Sequence, residues 1–405
     1  MRRREISDNP FRPGFGPTPP ELAGREAIID AYGEAFLPGT WSTWRATIIS
    51  GHRGIGKTTL LGALEKEAAR AGWLVASTTA RRGVVGELVN DRLPRLQTEA
   101  DRRGAKTRIS GLGFAGVTVQ RTVADRSPTT PTLRGRVEDL LNIPGVTGLL
   151  ISIDELNPRA VEDLAEVVDV VQHGFRENRP IAVLGAGLFP DIADLRRHPG
   201  LTFLHRAHSV ELPQLTYDQT LTALRDPITA GGRHIDEEAL RLAAAITQGY
   251  PYLTQVIGAD AWDARPDELE ITRDDVEGAF PTAHRLMNEQ VLRPTIARLP
   301  DALVDYLLAM AVDDGPSLAR DLEARLGIAS NTLANRRARL LHEERMIAAV
   351  GHGTVDFALP YLREFLRDLA AERANRHVLG RRPDFPPPPP LPGRAAPDGQ
   401  GSALR

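Results

Sequence analysis

The residues best suited to chemistry stand in one run, Gly51-His52-Arg53-Gly54-Ile55-Gly56-Lys57-Thr58-Thr59. Its G-x-x-x-x-G-K-T spacing is that of a phosphate-binding loop. The glycines let the backbone turn tightly, so that its N–H groups can aim at an anion. A helix that follows would add the positive end of its dipole. Lys57 would reach the β- and γ-phosphates of a nucleotide, and Thr58 would hold Mg2+. The chain has three lysines, Lys57, Lys66 and Lys106, among 50 basic residues. A sequence that otherwise uses arginine keeps a lysine where a compact point charge is needed. A second candidate is the carboxylate pair Asp154-Glu155, which closes the apolar run Gly148-Leu149-Leu150-Ile151-Ser152-Ile153. An acid at the end of such a strand helps hold Mg2+ in phosphate-loop enzymes, a role that falls to Asp154. Glu155 would polarise the attacking water as general base. Either segment alone has a plain alternative, a chance glycine-rich turn or a solvated helix cap. Their occurrence together favours the chemical reading.

Positioning these groups takes strands. Ala46–Ser50 leads into the loop as an apolar strand, and a helical pattern from Thr59 leads out. A second strand is expected over Trp73–Ser77, a third over Gly148–Glu155 and a fourth over Pro180–Gly187. The continuous apolar character of the third predicts burial on both faces of a parallel sheet. Helices are expected over 84–103, 132–142 and 159–178, and a glycine-rich β-hairpin over 108–119, followed by a polar loop at 124–131. Alternating strands and helices imply a parallel α/β sheet, with nucleotide outside the carboxyl ends of its strands. The Pro/Gly-rich stretch 1–24 reads as an extended arm, lying either along the nucleotide base or as a strap on the surface.

From about residue 215 helices dominate, over 218–230, 236–247, 252–262 and 273–292, in the manner of a small lid. Gly249-Tyr250-Pro251 breaks the pattern and opens a helix. Further on come helices over 301–312, 318–326 and 330–341, the last with Ser330 as N-cap, then strands over 346–350 and 354–358. That is the order of a winged helix. Leu333, Leu340 and Leu341 share one face of its third helix, and Asn331, Asn335, Arg336 and Arg339 another. Such a polar face suits reading of a DNA major groove. Winged helices also dock proteins, and 12 Arg against 8 Asp/Glu over 317–382 is a modest excess. Both partners, double-stranded DNA and protein, stay open.

Formal net charge is −3, so the whole chain is not a basic nucleic-acid binder. There are no cysteines, hence no disulfides and no thiolate metal site. No apolar run approaches a transmembrane span, and the expected location is the cytoplasm. The proline run Pro386–Pro390 begins a tail expected to be disordered.

Taken in order, the arm ending Gly24-Arg25-Glu26, the Walker A loop, the Walker B strand Leu150–Glu155, Gly249-Tyr250-Pro251-Tyr252 and the winged helix resemble AAA-type ATPases. The resemblance is to those related to the archaeal Orc/Cdc6 initiators and the STAND switch ATPases, and it covers about residues 9–370. It implies an AAA/ASCE-type P-loop sheet, a helical lid and a C-terminal winged helix, with ATP and Mg2+ as ligands and possible oligomers. The divisions would be 1–24, 25–213, 214–298, 299–372 and a tail, 373–405. It further implies nucleotide-proximal roles for Gly249 and Pro251, and a nucleotide-sensing role for Arg206. One departure stands out. Gly185-Ala186-Gly187 occupies the strand end where these enzymes offer a polar sensor, which implies slow hydrolysis and switch-like retention of ATP.

Overall fold

The computed structural model describes residues 6–14, 22–37, 42–111 and 131–379. Strands β1 (Ala46–Ser50), β2 (Leu74–Thr79), β3 (Leu149–Leu156), β4 (Ile181–Gly187) and β5 (His208–Glu211) form a parallel sheet in the order β2-β3-β4-β1-β5. Ser50 is level with Gly187 on one side and Glu211 on the other. The period of two splits each strand between two cores. Ile49, Leu150, Ala182, Leu184 and Val210 pack with Leu60, Leu61 and Leu64 of α2 (Lys57–Arg70), behind which α1 (Glu26–Glu34) lies. Ile48, Leu149, Ile151, Ile153, Ile181 and Val183 face the other way. They meet α4 (Leu93–Gly111, which follows the short α3, Val84–Glu87), α5 (Leu133–Leu141), α6 (Val161–Arg176) and α7 (Phe189–Arg197). Covering both faces is what the apolar runs require.

Several expectations change. The helix read over 84–103 is interrupted by a π-helical turn at Leu88–Arg92, and α4 runs on to Gly111. Residues 108–111 are therefore helical rather than the start of a hairpin; the rest of that expected hairpin, and 124–130, lie outside the described residues, as does the proline-rich tail. β5 was not foreseen, because four residues reading His-Ser-Val-Glu carry too little apolar pattern. The described part of the arm is a strap. Phe11 is buried against Gly258, where a Cβ would come within 2.4 Å of its ring, and Asn9 Nδ2 donates to the Ala259 carbonyl at 3.1 Å.

Past the sheet come α8 (Tyr217–Ala230), α9 (Glu237–Thr247), α10 (Pro251–Ala264) and α11 (Arg273–Leu286). Two-residue strands β6 (His234–Ile235) and β7 (Glu270–Ile271) tie them together in a parallel ladder. A second π turn, Met287–Leu292, leads into α12 (Arg293–Ile296). Then follow α13 (Asp301–Ala311), β8 (Ser317–Leu318), α14 (Ala319–Leu326), α15 (Ser330–His342), β9 (Ile347–Gly351), β10 (Thr354–Phe357) and α16 (Leu362–Leu379). The last three strands form an antiparallel sheet, order β8-β10-β9. β8 and α16 are additions to the expected order. Ser330 is not the cap of α15. Ala329 holds that place, and the Ser330 hydroxyl donates to Glu323 Oε1 at 2.6 Å. Leu303, Leu307, Leu333, Leu340, Leu362 and Phe365 continue the core that begins under the sheet.

Candidate functional site

The loop between β1 and α2 has the local geometry its glycines were expected to permit. Gly54 and Gly56 take φ of 77° and 95°, where a side chain would be strained, and Gly56 caps α2. Ile55 is buried and pins the loop to the core. The first turn of α2 leaves N–H groups without intrahelical partners, facing the loop mouth. Lys57 Nζ donates to the carbonyls of Gly51 at 3.1 Å and His52 at 2.7 Å. Burial pushes its pKa down to about 8; Arg53 acts in the same direction, while Asp154, Asp191 and Glu155 oppose the shift. Thr59 is half-buried one residue past the exposed Thr58.

The Thr58 hydroxyl donates to Asp154 Oδ2 at 2.7 Å, bringing together two side chains 96 positions apart. Asp154 arrives on β3 at a register break: Ile153 pairs with Gly185, but Leu156 with Gly187. The extra residue is a bulge, a device that re-aims side chains. Glu155 sits in it with φ of 55°, a strained value for a non-glycine residue. It is exposed, its N–H bonded to Asp154 Oδ1 at 2.7 Å and its carbonyl accepting from Asn157 Nδ2 at 2.7 Å. The bulge also explains Gly185 and Gly187. A Cβ on the first would lie 2.5 Å from a Leu156 methyl, and on the second 2.9 Å from the Leu156 carbonyl oxygen.

The Gly249-Tyr250-Pro251-Tyr252 turn abuts the loop through its tyrosines. Gly249, φ 73°, leaves no room for a Cβ, which would stand 2.2 Å from the Leu215 carbonyl oxygen. Pro251 opens α10. Between and after them, Tyr250 donates its hydroxyl to the Arg53 carbonyl, and the Tyr252 N–H donates to Gly54 O at 3.2 Å. The Arg53 side chain points outward and is exposed.

The C-terminal region reaches the same loop. His52 Nε2 bonds the Arg345 carbonyl at 2.9 Å, and burial pushes this imidazole down to about 4. Arg345 Nη2 donates to both Glu211 oxygens, at 3.1 and 3.0 Å, and its guanidinium lies 5.7 Å from the Phe189 ring centroid. Arg197 pairs with Glu343 at 3.0 Å, and Arg298 with Asp191. Sequence reasoning missed Tyr250, Tyr252, Asp191, Arg298 and Arg345 as neighbours of the loop. Contacts such as His52–Arg345 span 293 positions and leave no local pattern.

Two other expectations fare differently. Arg206 lies just ahead of β5, whose His208 is level with Thr47 at the start of β1. The phosphate loop leaves the other end of β1. Arg206 is thus at the amino edge of the sheet, at the opposite end from that loop, and is not brought to the loop within its own chain. On α15, Asn331 and Asn335 are exposed and Arg336 half-buried. Arg339 is engaged by Glu344 at 3.4 Å and Glu343 at 3.8 Å.

A cleft of about 770 Å3 lies elsewhere, between α10 and α11, lined by Asp260, Asp263, Arg265, Asp274 and Asp275. Asp275 accepts from Arg265, from the Thr272 N–H at 2.7 Å and from its hydroxyl at 2.9 Å. Its pKa is held down to about 2, first by the Arg265 hydrogen bond. A carboxylate so fully used is structural.

Comparison with known proteins agrees on the fold. A family described as a domain of unknown function (DUF8462) matches residues 289–366. No curated protein matches the chain. The ORC2 protein of Aeropyrum pernix, solved as ADPNP–ADP complexes, is similar at 16% identity and a TM-score of 0.59, over 90% of this chain and 98% of that one. The Walker-type ATPase PABY2304 of Pyrococcus abyssi is similar at 16% identity and a TM-score of 0.56, over 85% and 96%. The chain therefore shares its fold with these two proteins, a parallel α/β sheet followed by a largely helical C-terminal part. Among the described residues no helix is long and apolar enough to cross a membrane.

Proposed function

We propose that the protein binds ATP with Mg2+ and hydrolyses it slowly, passing its nucleotide state to a C-terminal winged helix. The observation that carries this is the Thr58–Asp154 hydrogen bond beside Lys57, at the carboxyl ends of the central strands. A hydroxyl and a carboxylate, both reachable from solvent, are hard oxygen donors of the kind Mg2+ takes alongside phosphate oxygens and water. Bound there, Mg2+ would neutralise charge developing on the transferred phosphoryl group. Lys57 supplies a point charge to the β- and γ-phosphates, and the first turn of α2 supplies N–H donors. Glu155, exposed on its bulge, orients a water and takes its proton. Slow turnover follows from Gly185-Ala186-Gly187, which presents no polar side chain at the end of β4. Gly249 and Pro251 act by shaping the turn that sets Tyr250 and Tyr252 on the loop. The working divisions are an arm at 1–24, a core at 25–213, a lid at 214–298, a winged helix at 299–372 and a tail at 373–405. ORC2 in its ADPNP–ADP complexes supports the nucleotide part by likeness of fold.

The test is ATP hydrolysis by the purified protein, with and without double-stranded DNA, with Lys57→Ala as control. Hydrolysis stimulated by DNA and absent in the control supports a DNA-coupled ATPase, with Asn331, Asn335, Arg336 and Arg339 as the contact face. Absence of both nucleotide binding and hydrolysis in the unsubstituted protein overturns the proposal. A second function, a nucleotide-dependent switch that docks a protein, is favoured by the engagement of Arg339 with Glu343 and Glu344. Slow turnover indifferent to DNA would select it, and pull-downs with Glu155→Gln would then seek the partner.

A further inference from the structure

The loop and the C-terminal region share a carboxylate. Asp191 lies in the first turn of α7, directly after β4, and is 9% exposed. Two residues before it, Phe189 meets the His52 ring edge-on at 5.1 Å, so this turn is packed against the phosphate loop. Asp191 is near enough to Lys57 to favour its charged form. Its ion-pair partner comes from outside the sheet. Arg298 lies between α12 and α13, flanked by the buried Ile296 and Leu299, and places Nη2 on Asp191 Oδ1. Arg298 is also near enough to the buried Glu344 to favour that carboxylate's charged form. One residue further, Arg345 makes the other contact, through Glu211 and His52.

This arrangement has an electrostatic consequence. A buried carboxylate beside a loop that accepts polyphosphate repels the ligand unless it is neutralised. The neutralising cation stands at the junction between the lid and the winged helix, so its reach to Asp191 depends on how that junction is docked. We propose that Arg298, by covering the charge of Asp191, makes nucleotide affinity depend on docking of the C-terminal region. Nucleotide, in return, holds that region docked. The inference rests on the nucleotide-binding reading above and adds to it a positioning pair and a sign: nucleotide and docking favour each other, as linkage requires of any coupled pair. Arg298 acts through Asp191 and not by touching nucleotide.

The experiment titrates Mg-ATP, and separately Mg-ADP, onto the full chain and three variants, Arg298→Met, Asp191→Asn, and both together. Amide hydrogen exchange is followed at 343–346 with and without nucleotide. Arg298→Met should weaken both nucleotides on the order of tenfold, within the usual range for coupled sites. The double variant, with no charge left to cover, should return to within about twofold of the unsubstituted chain, the residual scatter usual for paired substitutions. Nucleotide should slow exchange at 343–346 in the unsubstituted chain and lose that effect in Arg298→Met. Unchanged affinity in a folded Arg298→Met variant overturns the coupling while leaving nucleotide binding intact. So does loss of affinity that Asp191→Asn fails to restore, which would mark a packing defect. If the unsubstituted chain binds neither nucleotide, both proposals fall together.

Discussion

The phosphate loop and α15 were both legible as charged, functional-looking segments, yet the fold treats them differently. Around the loop it spends unusual backbone: two glycines at positive φ, a bulge in β3 and a non-glycine residue at φ 55°. All of this converges on side chains from β3 and α2, and the hydroxyl and carboxylate it brings together stay open to solvent. On α15 the backbone is ordinary helix, and its most C-terminal arginine of the set is engaged by neighbouring glutamates. Residue type and spacing thus announce both segments equally. Strain and convergence separate them, because strain persists only where the surrounding structure imposes it. The contrast makes the loop the stronger candidate for chemistry and leaves α15 a polar surface.

That contrast can be broken or sharpened by substitution. The largest effect expected is at Lys57. Lys57→Ala should reduce ATP affinity by about a hundredfold or more, removing a charge-assisted bond to phosphate in a half-buried site; isothermal titration measures it, and retained affinity would break the contrast at its stronger end. Next, Glu155→Gln should keep ATP affinity within about threefold while lowering turnover roughly 100- to 10,000-fold, the range for losing a general base. Unchanged single-turnover kinetics would move the base elsewhere.

Proton linkage gives a third effect. The Lys57 ammonium titrates near pH 8 in the free protein, chiefly through burial, and phosphate oxygens would hold its proton more tightly. The bound state then carries more protons, so affinity is full below pH 8 and falls as pH rises above it. The limit is about tenfold per unit. Titrations in buffers of different ionisation enthalpy should show proton uptake on binding near pH 8.5. Affinity that does not change up to pH 9.5 would show that the lysine is not coupled to the ligand. The smallest effect is on α15. Arg336→Ala with Arg339→Ala should weaken double-stranded DNA binding by less than about tenfold. It should lower the salt slope by about one rather than two, because Arg339 is already neutralised. No change in affinity or slope would assign the surface to a protein partner.

What the sequence disclosed follows from how information is stored in it. β1, β3 and β4 are continuous apolar runs, and the loop has a fixed spacing, so both were readable locally. Ser330 fails as a cap because its hydroxyl is taken by Glu323, and 108–111 continue α4 instead of starting a strand. Arg206 stays away from its own chain's loop for a geometric reason: it precedes β5, and residues ahead of a strand parallel to β1 sit at the opposite edge. The glycines at the end of β4 were noted as a missing sensor. Their positive role, making room for the bulge that carries Glu155, needed Leu156 in view. Arg345 and Arg298 lie in a different part of the chain from everything they serve, and no periodicity marks them.

The sheet order has a consequence for how the chain is made. β1 is made before either of its two neighbours, which end at Gly187 and Glu211. At about 5–20 residues per second, roughly 10–30 s of synthesis pass before both are available. Until β4 is made Ala46–Ser50, every residue of which is buried in the finished sheet, stands unpaired, and until β5 is made one of its edges stays open. The strap at Phe11 waits longer still, for Gly258. The strand that leads into the loop is therefore completed on both sides only after β5 has been made.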